Sequence, residues 1–419
     1  MCYYYAISYT WVVIIMIKRE CYMQRIRPFI GSDLIKVLTG IRRSGKSVML
    51  DLIKEELKAD GVSDSQFISF NFESLANARY CTAEALYEEL TNRISTVRGK
   101  AYLFFDEIQE VRDWEKCVNS ARVDFDCDIY ITGSNAKLLS GELATYLGGR
   151  YVEFVMYPFS FEEFLECRRQ SGNDPDVSAE FGTYLELGGM PFLSNLNEDR
   201  AASLQYLSDV YNSVILKDVV KRYNIRDVDL LERIITYVMA NVGHTFSARS
   251  ISNYFKNENR KVAPETVLNY IKACCDAYLL YQVSREDLVG KKILSINEKY
   301  YIADHGIREA VYGSNTRDMD QLLENIVCME LIRRGYDVTI GKIGEKEIDF
   351  IANKNGSKVY VQVAYLLAGE ETIRREFGVY ADIRDNYPKY VVSMDEFDMS
   401  RDGIKHRNIQ EFLLADEWA

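Results

Sequence analysis

The segment Val37 to Leu50, VLTGIRRSGKSVML, constrains this chain more than any other. An apolar run from Leu34 to Leu38 reads as a buried strand. It enters Gly40-Ile41-Arg42-Arg43-Ser44-Gly45-Lys46-Ser47, and an amphipathic stretch follows to about Leu57. This is GxxxxGK[ST] in the strand–loop–helix setting that gives the motif its meaning. Gly40 and Gly45 permit a tight turn, so that successive N–H groups point at phosphate oxygens. The helix beginning near Lys46 adds its positive end. In this pattern Lys46 reaches the β- and γ-phosphates and Ser47 ligates Mg²⁺. ATP and Mg²⁺ are therefore the expected ligands. Gly40, Ile41, Arg42, Arg43, Ser44, Gly45, Lys46, Ser47 and Val48 are the expected nucleotide contacts.

A second motif lies about 60 residues on. The apolar strand Ala101 to Phe105 runs into Asp106-Glu107, a Walker B pattern. Asp106 is expected to hold the metal, and Glu107 to orient and polarise the attacking water. A DE pair after an apolar strand says little alone; downstream of a P-loop it says much more. Gln66 to Asn71 alternates and reads as another strand. Cys127 to Ile131 is a further short strand, ending in Thr132-Gly133-Ser134-Asn135. In isolation TGSN reads as a turn. Between these motifs, Asn135 or Ser134 becomes the polar group that touches the γ-phosphate or the water.

Composition narrows the setting. With 419 residues the chain has room for two to four domains. A net charge of −12 argues against a wholly basic nucleic-acid coat, though not against a local basic face. Nine scattered cysteines without a CxxC pair, and three histidines, make a zinc site or disulfide framework improbable and suit a reducing cytoplasm. Residues 1–17 carry no charge and precede Lys18-Arg19. The run is short for a membrane span, which needs about 20 apolar residues. It also lacks a signal peptide's basic start and cleavage site. A signal anchor is one reading. The favoured one is an overextended start, with Met16 opening the ordinary sequence and the first 15 residues neither natural nor folded.

The order of the motifs then resembles a known group. Walker A at 40–47, LFFDEIQ at 103–109, ITGSN at 131–135, LGGR at 147–150, YPFSFEEF at 157–164 and LGGMPFL at 187–193 follow the arrangement of prokaryotic, archaeal-type AAA+ ATPases. Members of that group carry a C-terminal restriction-endonuclease-like domain of unknown role. The resemblance runs from about residue 18 to the end. It implies a sheet in which the sensor strand lies between the P-loop and Walker B strands, with Glu107 as the hydrolytic base. It also implies that Arg150 is an arginine finger or nucleotide sensor, neutralising charge on the γ-phosphate from a neighbouring subunit or domain, against the plainer reading of a surface arginine paired with an acid. Gly188-Gly189-Met190-Pro191 resembles an element that closes over nucleotide; a plain loop is its rival.

Beyond the core, Phe161 to Glu232 is helical in pattern and reads as a lid. Mixed charge in Ile215 to Arg222 reads as a solvated face. Residues 229–285 suit a winged helix, with helices near Ile235–Met239 and Ser247–Phe255, a recognition-type helix at Pro264–Tyr278, and a wing from Leu279. Residues 245–275 hold five bases (Arg249, Lys256, Arg260, Lys261, Lys272) and two acids (Glu258, Glu265), a local +3. DNA contact is one reading, and packing or protein contact the other. Cys274-Cys275 reads as core.

The last part resembles the PD-(D/E)xK nuclease core. Asp349 matches its first acid and Glu324 its helix acid. Gln362 stands at the second strand acid, and Ala364 stands where the lysine belongs. Without that lysine the expectation is a nuclease-like fold that does not cleave, unless a lysine arrives from elsewhere.

The expected architecture is thus α/β. It comprises a leader at 1–21, an AAA+ P-loop core at 22–165, a helical lid at 166–228, a winged helix at 229–298 and a nuclease-like domain at 299–419. The expected activity is Mg²⁺-dependent ATP hydrolysis by Lys46, Glu107, Asn135 and Arg150, with Ser47 and Asp106 on the metal. ATP-regulated nuclease and nucleotide-gated protein scaffold are the alternatives. DNA, a protein partner and a second copy are the candidate partners; a membrane is not expected.

Overall fold

A computed structural model of the chain describes all residues except 1–2, 8–9, 15–16, 137–146, 171, 173, 197–198, 289–291, 314–317 and 419. Side chains are described for these except at 3–14 and 292–297. The chain forms two compact units. The first holds residues 1–158 with 276–278, the second 159–275 with 279–419.

The first unit is built on five strands; the three central ones carry nearly continuous apolar, buried runs, the pattern of a sheet covered on both faces, while the two edge strands are buried only in part. They are β3 (Ile35–Thr39), β4 (Phe67–Asn71), β5 (Ala101–Asp106), β6 (Cys127–Thr132) and β7 (Tyr151–Val155). All pairings are parallel, in the order β4-β5-β6-β3-β7. Helices α2 (Lys46–Ala59), α3 (Ala83–Ile94) and α4 (Trp114–Asp124) make the crossovers. Leu86 and Leu90 of α3, Trp114 and Val118 of α4, and Phe70 and Phe105 of the strands share one core. Ahead of the sheet lie a backbone hairpin, β1 (Tyr3–Ile7) and β2 (Thr10–Ile14), and helix α1 (Glu20–Ile26). Two expectations change here. The first residues are paired as strands, and the boundary at 21/22 falls inside α1, whose Tyr22 and Met23 are buried with Ile17.

The second unit opens with helices α5 (Phe161–Gln170), α6 (Val177–Leu187) and α7 (Arg200–Ser213); α7 runs into a π-helical stretch, Val214–Val220. In that stretch Leu216 and Lys217 face outward, while Ile215, Asp218 and Val219 are buried, so the expected solvated face is solvated only in part. Then follow α8 (Val228–Ala240), α9 (Ala248–Asn257), α10 (Pro264–Asp276) and the antiparallel pair β8 (Leu280–Asp287) and β9 (Lys292–Ile302). After α11 (His305–Val311) comes a helix, α12 (Met319–Arg333). It precedes an antiparallel meander of β10 (Asp337–Ile343), β11 (Lys346–Lys354) and β12 (Ser357–Val363). Helix α13 (Glu370–Gly378) leads to β13 (Lys389–Ser393), which pairs parallel to β12, and β14 (Lys405–Asn408) and α14 (Ile409–Leu414) complete the unit.

The hairpin β8–β9, expected as a separate wing, joins this sheet through parallel pairing of β8 with β10. The order is β14-β13-β12-β11-β10-β8-β9. The expected boundary at 298/299 therefore cuts through β9, and that at 165/166 cuts through α5. Side chains alternate between the two faces, as strand geometry requires. Phe350, Ala352 and Val361 meet Phe412 and Trp418 on one face, while Ile351 and Tyr360 meet Phe377 and Tyr380 on the other.

One polar contact lies inside the first sheet. Lys36 of β3 is fully buried and pairs with the fully buried Asp128 of β6. Asp128 also accepts from the Tyr130 hydroxyl at 2.8 Å and the Gly31 N–H at 2.7 Å, and Lys36 donates to the Ser32 carbonyl at 3.1 Å. Burial pulls the Lys36 pKa below its ordinary value despite the field of Asp128. A pair of this kind is costly to break from one side, because the surviving charge is stranded. Asp128→Ala is expected to lower stability by about 3–5 kcal/mol in urea denaturation of the full chain. Replacing both members together, Lys36→Met with Asp128→Leu, should restore most of that loss. A loss below about 1 kcal/mol for Asp128→Ala would mean that water screens the pair.

Candidate active site

The loop between β3 and α2 is shaped for an anion. Gly40 has φ +128°, and a Cβ there would lie 2.1 Å from the Met156 carbonyl oxygen, so only glycine fits. Gly45, at φ +95°, is the N-cap of α2 and, being a glycine, offers no side-chain acceptor to the first turn of the helix. Arg43 is left-handed as well, at φ +69°. The buried Ser44 hydroxyl has no hydrogen-bond partner among the described residues. Lys46 is folded back on the loop and donates to the Gly40 and Ile41 carbonyls at 3.0 and 3.1 Å. Ile41 is buried, Arg43 and Ser47 are exposed, Val48 is half-buried, and Arg42 pairs with Glu73 at 3.0 Å.

The two acids after the P-loop are held by β6. Thr132 at its end donates to Asp106 Oδ1 at 2.6 Å and accepts from the Glu107 N–H at 2.9 Å. The Asn71 amide donates to Asp106 Oδ2 at 3.0 Å. Glu107 is left-handed, at φ +54°, and its carboxylate accepts from the Gln109 side chain. Ser134 and Asn135 are buried just beyond, where the Gly133 N–H donates to the Leu38 carbonyl at 3.1 Å. Parallel pairing brings the ends of β3, β5 and β6 to one edge of the sheet, with β6 in the middle. The P-loop, the two acids and a buried amide thus share that edge. Ser47 and Asp106 supply hard oxygen donors there, and this donor set fits Mg²⁺. Thr132 and Asn71 were not singled out from sequence as site residues. Their signal was position, each being the last or next-to-last polar residue on a strand neighbouring the P-loop or Walker B strand.

Arg150 is remote from the P-loop of its own chain. It precedes β7, its carbonyl accepts from the Ile35 N–H at 2.9 Å, and its exposed guanidinium donates to the Asn119 side chain at 3.2 Å. Ile35 starts β3, whereas the P-loop follows its end, about 13 Å along the strand at roughly 3.3 Å per residue. Arg150 therefore lies at the opposite edge of the sheet from its own P-loop and is not part of that site.

Gly188-Gly189-Met190-Pro191 has structural partners within the second unit. The Gly189 N–H donates to Asp304 Oδ2 at 2.8 Å, and its carbonyl accepts from the Phe159 N–H at 2.7 Å. Asp304 in turn caps α11.

The second unit carries a cavity of about 770 Å³ lined by Glu324, Glu347, Asp349, Gln362, Glu376 and Lys299, among others. Glu324 comes from α12, Asp349 from β11 and Gln362 from β12, as the resemblance implied. Lys299, from β9, was not foreseen. It is 4% exposed, with Nζ 2.8 Å from Glu347, 3.1 Å from Glu324 and 4.0 Å from Asp349. Burial opposes its charge, but the fields of Glu324, Asp349 and Glu347 outweigh burial and raise its pKa. Burial, then the charge of Glu324, pushes the Asp349 carboxyl well above its usual range. The oxygens a metal would need are turned to other partners. Glu324 Oε1 also accepts from the Tyr301 hydroxyl at 2.6 Å, Gln362 Oε1 from the Asp349 N–H at 3.2 Å, and Asp349 Oδ2 from the Val363 N–H at 2.9 Å. Among the described residues no group of three or more His, Cys, Asp or Glu side chains is placed to hold a metal ion. Ala364 is packed in the apolar core with Tyr380 and Val391.

Comparison with known proteins agrees with the first unit's geometry. A family model described as an AAA domain matches residues 32–165, and one described as a domain of unknown function matches residues 178–318. The chain is 37% identical over 400 residues to an uncharacterized protein of Haemophilus influenzae, across 95% of this chain and 99% of that one. It is 31% identical over 361 residues to an uncharacterized protein of Methanocaldococcus jannaschii, across 83% of this chain and 78% of that one. A Walker-type ATPase of Pyrococcus abyssi superposes with a TM-score of 0.50 at 16% identity, over 71% of this chain and 96% of that one, a likeness of fold. The chain belongs to the family of the Haemophilus and Methanocaldococcus proteins, and its first unit matches an AAA domain and has the fold of a P-loop ATPase core.

Proposed function

We propose that the protein binds and hydrolyses ATP with Mg²⁺, and that turnover changes the conformation of its second unit. The observation that carries this reading is the strand order β5-β6-β3, which gathers the P-loop, Asp106, Glu107 and Asn135 at one edge. Lys46 exchanges the Gly40 and Ile41 carbonyls for phosphate oxygens, and the N–H groups of residues 41–48 complete the cradle. Glu107 exchanges Gln109 for the attacking water and takes its proton. The water oxygen bonds to the γ-phosphorus as the bond to the bridging oxygen breaks, and ADP carries away the leaving charge. Asn135 orients the water or the γ-phosphate by hydrogen bonding. Ser47 and Asp106 would hold the Mg²⁺, which supplies charge neutralisation. An arginine finger role for Arg150 requires a neighbouring copy of the chain.

The second unit supports the nuclease-like reading in its order of elements, helix α12, meander β10–β12, helix α13 and parallel strand β13. Its chemistry cuts both ways: Lys299 supplies from β9 the lysine that position 364 lacks, so inactivity no longer follows from Ala364, and it rests instead on the absence, among the described residues, of three acids placed to hold a metal. Lys299 lies where the carboxylates converge and neutralises them as a divalent cation would, so the residues do not fit a metal. Helices α8 to α10 and hairpin β8–β9 have the composition of a winged helix. DNA contact there rests on fewer bases than the sequence count, because Arg260 is engaged by Asp227 and Asp229 at 2.6 and 2.5 Å. Arg249, Lys256, Lys261 and Lys272 remain exposed.

Steady-state hydrolysis tests the main reading. Glu107→Gln is expected to lower ATP turnover at least about 100-fold while ATP still binds, and Lys46→Ala to abolish binding. Turnover stimulated by duplex DNA, with a steep salt dependence, would assign the second unit to DNA. Turnover indifferent to DNA would point to a protein partner, and tight binding without turnover to a nucleotide-gated scaffold. For the cavity, wild type is expected to show no Mg²⁺- or Mn²⁺-dependent DNA cleavage, while Lys299→Met gains Mn²⁺ binding by calorimetry. Wild-type cleavage lost in Asp349→Asn would reverse that reading.

A further inference from the structure

The segment ahead of the sheet contributes a side chain to the P-loop that neither motif includes. Arg19, in the left-handed region at φ 48° and ψ 53°, precedes α1 and is 5% exposed. Its Nη1 donates to the Ser44 carbonyl at 2.8 Å, and its Nη2 to the Tyr157 carbonyl at 2.8 Å. The guanidinium lies over the Tyr22 ring, 4.5 Å from its centroid. The Tyr22 hydroxyl accepts from the Tyr157 N–H at 3.1 Å. The same stretch, Met156-Tyr157, abuts Gly40 and hydrogen-bonds to Thr39 at 2.8 Å. Both ends of the loop are thus tied to the chain that leaves β7, the first through the Thr39 carbonyl and Ser44 through Arg19.

Peptide geometry turns this contact into a statement about phosphate binding. The described chain has no cis peptide, and in a trans peptide the C=O and the following N–H point to opposite sides. A guanidinium that draws the Ser44 carbonyl to one side aims the Gly45 N–H to the other. That N–H lies at the N-cap of α2, the helix end whose backbone donors suit an anion. An isolated loop of this kind would lose several backbone torsions on binding, an entropic cost that a peptide fixed beforehand avoids.

We infer that Arg19 is a positioning residue for nucleotide. It fixes the Ser44–Gly45 peptide so that the phosphate cradle is set before the ligand arrives. Its buried positive charge also lies beside the loop that receives a polyphosphate. This inference rests on the reading that the P-loop binds ATP, and it predicts an effect on binding rather than on the bond-breaking step.

The test compares full-length wild type, Arg19→Ala, Arg19→Met and Arg19→Lys. Each is measured for binding of a fluorescent ATP analogue, for kcat and KM of ATP hydrolysis, and for thermal melting without nucleotide. Arg19→Ala and Arg19→Met are expected to weaken nucleotide binding and raise KM by about tenfold or more, the scale of a lost charged hydrogen bond. Their kcat should stay within about threefold of wild type. Arg19→Lys keeps the charge and a donor and should recover much of the binding. A purely structural role would lower melting temperature and active fraction together, leave KM unchanged and give no rescue by lysine. Nucleotide binding by folded Arg19→Met within twofold of wild type overturns the inference. If Arg19→Ala does not fold, the contrast of Lys with Met decides. Failure of wild type itself to bind nucleotide overturns the ATP reading, and this inference with it.

Discussion

The parallel register of β5, β6 and β3 is the constraint on which the rest of the nucleotide site depends. With β6 between its neighbours, a single threonine hydroxyl can serve both acids of the Walker B strand. Thr132 holds the side chain of Asp106 and the backbone of Glu107 at once. Glu107 occupies a left-handed conformation that is uncommon for a residue with a side chain, and the hydrogen bond from its N–H helps hold it there. A one-residue slip of β6 would turn Thr132 to the other face of the sheet and release both contacts.

The loop residues that would act on phosphate are engaged with the protein itself in this structure. Lys46 donates to loop carbonyls, and Glu107 accepts from Gln109. These contacts satisfy buried polar groups that would otherwise be orphaned. A ligand that replaces them offers equivalent bonds, so the exchange needs little net reorganisation of the strands. The strained positions Gly40, Arg43, Gly45 and Glu107 lie in loops at the end of the strands, supported from behind by Met156, Arg19 and Thr132.

The second unit shows how a sheet can absorb elements that local pattern separates. Hairpin β8–β9 reads as a wing because it follows three short helices. Its edge pairs with β10 instead, through Arg285 opposite Ile340, and the sheet gains two strands. That extension brings Lys299 into the cavity built by α12, β11 and β12. Ala364, the position to which the motif directed attention, is filled by core packing.

The nucleotide-binding edge was legible because its motif is local. Gly40 and Gly45, Lys46 and Ser47 act through one loop and one helix start, where spacing along the chain is spacing in space. Asp106-Glu107 and Asn135 were legible through the apolar strands that carry them. By sequence alone, then, the chain determined a P-loop, an acidic strand end and a polar strand end in the right order. Tertiary structure decided everything that depends on which strands become neighbours. It put Arg150 at the far edge of the sheet, because β7 pairs with β3 in parallel and Arg150 comes before β7. It bound Arg19 to Ser44 and Lys299 to Glu324, contacts between residues distant in sequence whose side chains carry no local signature. A buried cation reveals its role only through the carbonyls and carboxylates that the fold sets around it, since burial without such partners would be too costly to survive.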